Sequence, residues 1–169
     1  MGINQNFENI KNILLQPISG WQLVDIKSVD LKSFFIKQVM GLLLLIFIIK
    51  FVGKSLEFLS VSSIYYILVY TFFSLLSEFI SFVFSVLIVN KLLPSYGIPV
   101  NKPKIAVLIY YSLIPYYIFS ALVSLFPSMY FFGIISMYGF IIYWFGLNTL
   151  LKIKEEDSLI FFVVSIILI

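Results

Sequence analysis

Four stretches of this chain, about Phe34 to Val52, Ile64 to Val89, Ile105 to Phe126 and Met129 to Leu151, are apolar almost throughout. Crossing about 30 Å of hydrocarbon takes roughly 20 apolar residues in a helix. Lipid offers no hydrogen bonds, so a spanning segment must satisfy its backbone internally. These runs predict an all-α fold, a polytopic helical membrane protein. Composition leaves little else to build: 62% of the 169 residues are hydrophobic and 11% charged, against about 25% charged in ordinary globular domains.

A shorter apolar run, "SLIFFVVSIILI", follows "KIKEED" and gives a fifth segment at 159–169. A dozen helical residues cover only about 18 Å. The expectation is either a fifth helix cut short or one that dips into the outer leaflet. Pro127 and Ser128 alone separate the third and fourth spans, which predicts a tight antiparallel hairpin.

Orientation follows from lysine, the only basic residue type in the chain. Lys11, Lys27, Lys32 and Lys37, then Lys91, Lys102 and Lys104, then Lys152 and Lys154 fall on one side, and only Lys50 and Lys54 on the other. The positive-inside rule makes the first side, with the N-terminus, cytoplasmic. Lys37 and Lys50 sit about a turn inside the ends of the first span, where their stems are expected to snorkel to headgroups.

Two regions result: a cytoplasmic amphipathic segment at 1–33 and a transmembrane domain at 34–169. In the first, Ile3, Phe7, Ile10 and Leu14 share a helical face until Pro17 stops the helix. That pattern reads as a helix lying in the interface with Trp21 as its aromatic anchor, or as a short helix packed on cytoplasmic loops. The N-terminus lacks a basic region ahead of an apolar core, so the first span is expected to act as the anchor. Gly2 makes a poor myristoylation signal, because Asn6 stands where Ser or Thr is needed.

Cysteine and histidine are both absent. That removes disulfides, thiolate and imidazole chemistry and the usual zinc or haem ligands. A net charge of +3 spread over span-flanking segments suits anionic lipid, not nucleic acid, which needs a clustered basic face. No G-x-S-x-G, Walker loop or metal-ligand cluster is present, and Asp25, Asp30 and Glu57 are isolated flanking charges. The expectation is a protein without catalytic activity or cofactor.

One carboxylate lies in mid-span, in "TFFSLLSEFISFVF". Ser74, Ser77, Glu78, Ser81 and Ser85 fall at helical spacing and predict one inward polar face, since a lipid-facing Glu would cost a few kcal/mol. No other central span position carries a basic residue, so the expected donors to Glu78 are Tyr, Ser, Asn148 and Trp144. An unpaired carboxyl in such surroundings is expected to hold its proton near neutrality, where it either clips helices together or carries protons.

Pro115, within "YYSLIPYYIF", deprives the Tyr111 carbonyl of its helical donor and predicts a kink or hinge flanked by Tyr110, Tyr111, Tyr116 and Tyr117. Ser136, Gly139, Tyr143 and Gly146 form a small-residue stripe suited to close helix packing. The loop "KLLPSYGIPVNKPK" reads as a rigid connector that can meet anionic lipid or a partner.

Four pieces, taken in order, carry a family resemblance: "NILLQPISGWQLV" before the first span, "NKLLPSYG" closing the second, "YYSLIPYYI" in the third and "YGFIIYWFGLNTLLKI" in the fourth. With them the chain resembles the Yip (Ypt-interacting protein) family of integral membrane domains, in particular its short bacterial members. The resemblance implies five membrane helices with a cytoplasmic N-terminus. Eukaryotic members act in vesicle traffic and bind Rab-type GTPases. That role does not carry over directly, because the N-terminal region is short and the Asp-Leu-Tyr-Gly-Pro signature is absent.

Two functional expectations follow. The first is a non-enzymatic membrane protein of Yip type that organises membrane lipids, membrane-protein partners or copies of itself. The second is a small proton- or cation-coupled transporter with Glu78 as its site and Pro115 as its hinge. The Lys-only, Ile-, Phe- and Asn-rich usage of an AT-rich genome points to a bacterial cytoplasmic membrane.

Overall fold

A computed structural model describes residues 3–24, 29–58 and 63–168. Gly2, Asp25, Lys27 and Ile169 lie outside the described residues, as does the side chain of Ile3. Helices dominate: α1 (Ile3–Leu15), α2 (Pro17–Leu23), α3 (Leu31–Phe34), α4 (Met40–Phe58), α5 (Ile64–Leu92), α6 (Lys102–Leu125), α7 (Tyr138–Gly146) and α8 (Glu155–Leu168). No strand occurs among the described residues. The fold is that of an all-α polytopic membrane protein.

Four continuous helical stretches are long and apolar enough to span a membrane: Leu31–Glu57, Ile64–Tyr96, Lys102–Leu125 and Gly133–Leu151. The first begins earlier and ends later than hydropathy predicts, because Asp30 caps it, accepting from the Ser33 amide at 2.9 Å, and a π-helical turn, Phe35–Val39, joins α3 to α4. The fourth changes winding, from 3₁₀ at Pro127–Met137 through α7 to a π-helical turn at Leu147–Leu151. Runs of 3₁₀ helix this long are uncommon. Here the 3₁₀ segment lies along α6, and only a short turn at Phe126 separates them.

Antiparallel packing is visible in which residues meet. Lys50 reaches Ser74 and Lys54 lies over the Tyr70 ring, so α5 runs back along α4. Gly139 meets the Ser112 carbonyl and Gly146 the Leu108 side chain, so α7 runs back along α6. A Cβ on Gly139 would stand 2.4 Å from the Ser112 oxygen. The small-residue stripe therefore packs helices, as its spacing predicts.

α6 is the central element. Ile105, Val107, Leu108, Tyr110, Tyr111 and Tyr117 are all buried. It continues unbroken past the buried Pro115. α8 packs on α5 and on the fourth span, with the Tyr143 hydroxyl donating to Ser165 at 3.0 Å. Its 14 residues cover about 21 Å.

The N-terminal helices are packed, as the second sequence reading has it, but on α6 and the fourth span in place of loops. Asn6 and Asn9 are buried and Phe7 is exposed, so the face turned to the bundle carries Asn6, Asn9 and Ile13 beside Ile10 and Leu14, and Phe7 of the expected stripe is left outside. The reason is polar. Tyr110 and Tyr111 present hydroxyls inside the bundle, and Asn6 satisfies both, donating to Tyr110 at 3.2 Å and accepting from Tyr111 at 2.9 Å. The Tyr138 hydroxyl donates to the Leu14 carbonyl at 3.0 Å. Trp21 is no interfacial anchor: it is 1% exposed, its indole N–H donates to the Ile142 carbonyl at 3.0 Å, and its ring fills the slot that Gly146 leaves open.

Candidate functional site

The polar centre of the bundle forms where α4, α5 and α6 meet. On α5, Ser74 and Glu78 stand one turn apart and share a face. On α4, Lys50 lies two turns before the helix end. Side chains on a helix incline toward its N-terminus. Lys50 therefore points back into the bundle, not out to the headgroups, while Glu78, on the antiparallel helix, inclines the opposite way.

The two meet. The Lys50 ammonium forms a salt bridge with Glu78 Oε1 and donates to Ser74 Oγ at 2.9 Å. From α6 the Ser120 hydroxyl donates to the same carboxylate oxygen at 3.1 Å. Glu78 is 3% exposed and Lys50 12%. Glu78 therefore has an ion-pair partner, which corrects the reading of an unpaired carboxyl, and Lys50 is that partner, which corrects its reading as a snorkelling side chain. A buried charge needs such pairing, because an uncompensated one costs several kcal/mol.

Of the residues proposed from sequence, Ser74 and Glu78 enter this cluster. Ser77 and Ser81 are exposed on the outer side of α5. Ser85 is buried but turns its hydroxyl to the Ser81 carbonyl at 2.8 Å. Asn148 is exposed in the π-helical turn near the Lys104 end, where Lys104 donates to the Leu150 carbonyl at 3.2 Å. Trp144 packs edge-on against Phe162. Neither donates to Glu78. The five positions at i, i+3, i+4, i+7 and i+11 span an arc of about 100°, and the bundle covers only its Ser74, Glu78 and Ser85 edge, leaving Ser77 and Ser81 outside.

Sequence reasoning missed Lys50 and Ser120. The inclination of a lysine near the C-terminal end of an outgoing helix is the signal that could have found the first. Ser120 had no signal of its own.

Two polar atoms at this centre have no hydrogen-bond partner. They are Glu78 Oε2 and the hydroxyl of Tyr117, a buried α6 residue within electrostatic range of Glu78. Beside the ion pair, toward the Phe58 end of α4, lies a polar cavity of about 140 Å³ lined by Lys50, Lys54, Tyr70, Ser74 and Ser120. Lys54 also donates to Glu57 at 2.7 Å. No group of three acidic, His or Cys side chains suited to a metal ion occurs among the described residues. Comparison of this chain with protein-family models, with curated proteins and with solved structures finds no match.

Proposed function

We propose that this chain is a non-enzymatic membrane protein of the Yip type that organises lipids or membrane-protein partners, itself included, in a bacterial cytoplasmic membrane with its N-terminus inside. The observation that carries this reading is the closure of Glu78 Oε1 by Lys50 and Ser120, which spends the one mid-span carboxylate on joining three helices. Outside that junction the spans present a broad apolar surface for lipid or another protein, including Leu44, Ile48, Phe73, Ile80 and Phe84. Crosslinking in native membranes tests the proposal. A defined partner or homo-oligomer is expected, and random neighbours alone would count against it.

A second reading rests on Glu78 Oε2 and the Tyr117 hydroxyl, two buried protonatable groups without a hydrogen-bond partner. It makes the chain a small proton- or cation-coupled transporter using Glu78. Flux in proteoliposomes under a pH gradient separates the readings. Flux that disappears in Glu78→Gln while the protein stays folded favours transport, and absence of flux in the native protein favours the organising role.

A further inference from the structure

The polar cavity between α4, α5 and α6 is a space that neither reading fills. Lys50 directs two of its three N–H groups to Glu78 and Ser74. Ser74 accepts from Lys50, and its own hydroxyl proton is given to no described residue. Lys54 sets a second ammonium in the wall, 5.8 Å from the centre of the Tyr70 ring and paired with Glu57 at 2.7 Å. The lining is therefore rich in N–H and O–H donors. Its volume, about 140 Å³, far exceeds the roughly 10–15 Å³ that one water needs.

Its position is equally specific. Lys54 lies one turn from the end of α4, Tyr70 less than two turns from the start of α5 and Ser120 less than two turns from the end of α6. At 1.5 Å per residue these positions lie roughly 6–9 Å inside the helix ends. Tyr70 is half exposed, and Tyr65 and Tyr66 are exposed above it. Such aromatic residues favour the headgroup layer.

We propose that this cavity binds the phosphate of an anionic phospholipid in the leaflet opposite the Lys102–Lys104 end, with Lys50, Lys54 and Ser74 as donors. Ammonium groups bind phosphate as point charges and need no bidentate geometry. Occupancy would tie a headgroup to the ion-pair junction that joins the three helices. The proposal requires that the chain span the bilayer but is independent of whether it organises partners or transports ions.

The test is thermal unfolding of the purified full chain in neutral detergent, with added phosphatidylglycerol, phosphatidylcholine or inorganic phosphate. Phosphatidylglycerol should raise the midpoint by about 5 °C at saturation. Lys54→Gln should abolish that shift, and so should Val123→Phe, which fills the cavity from its Val123 wall without changing charge. Lys102→Gln at the other end should leave it intact. Equal protection by inorganic phosphate would assign the site to a free phosphate and overturn the lipid. Equal protection by phosphatidylcholine, no protection by any of the three, or protection that survives both cavity variants would overturn the site itself.

Discussion

Lys50 and Glu78 stand on antiparallel neighbours, α4 and α5, and each inclines toward the N-terminus of its own helix, so the two charges converge inside the bundle. Removing one partner leaves the other buried and uncompensated, a loss of about 3–5 kcal/mol, whereas replacing both with apolar residues of similar volume is often neutral. Lys50→Met and Glu78→Met should each destabilise the protein by that amount. The double variant should recover most of it. Denaturant unfolding of the three variants checks the cycle, and additive losses would mean that the pair is not coupled.

Gly53 governs how closely α4 approaches α6. A Cβ there would lie 2.2 Å from the Ser124 carbonyl oxygen, and backbone cannot step aside as a flexible side chain can. Gly53→Ala should cost about 1–3 kcal/mol through overpacking. Gly41, on the same helix, has nothing within 4 Å of its would-be Cβ, so Gly41→Ala should be neutral or stabilise by up to about 1 kcal/mol. Opposite signs in unfolding free energy are the expected result.

Asn6 ties the N-terminal helix to the bundle through two tyrosine hydroxyls. Asn6→Leu fits the apolar surroundings but strands both, at a cost of about 1–3 kcal/mol. The loss should be local, because α1 and α2 open without disturbing the spans. Trp21 reports on it: in a Trp144→Phe background, acrylamide quenching of Trp21 should rise sharply in the Asn6 variant. Unchanged quenching would show that Trp21, held by the Ile142 carbonyl, stays docked without Asn6.

What the sequence disclosed and what it hid divide along physical lines. Span number, all-helical architecture, the α6–α7 hairpin and the packing role of Gly139 and Gly146 were legible, because hydropathy and small-residue spacing are local signals. The buried face of α1 was not. Hydrophobic periodicity assumes that apolar side chains turn inward, but this helix docks on Tyr110 and Tyr111, whose hydroxyls require the Asn face. In a membrane protein, exposed Phe7 and Leu15 carry no penalty if lipid covers them. Half of the candidate site was readable as well, since Ser74 and Glu78 mark one helix face. Lys50 and Ser120 come from other helices, and only tertiary packing brings them to it.

The division of the α5 serines yields the last expectation. Ser77 and Ser81 are exposed, whereas Ser74 accepts from Lys50 and Ser120, on α6, donates to Glu78. Ser77→Ala and Ser81→Ala should therefore change stability by no more than about 0.5 kcal/mol. Ser120→Ala removes a hydrogen bond to a charged group, worth about 1.5–3 kcal/mol. Ser74→Ala likewise removes a hydrogen bond to a charged group, the Lys50 ammonium, and should cost a similar amount. Losses of unfolding free energy larger at Ser120 and Ser74 than at Ser77 and Ser81 would place the polar junction at α4, α5 and α6. A large loss at Ser77 or Ser81 would instead mean that the outer face of α5 is covered by a partner the single chain does not contain.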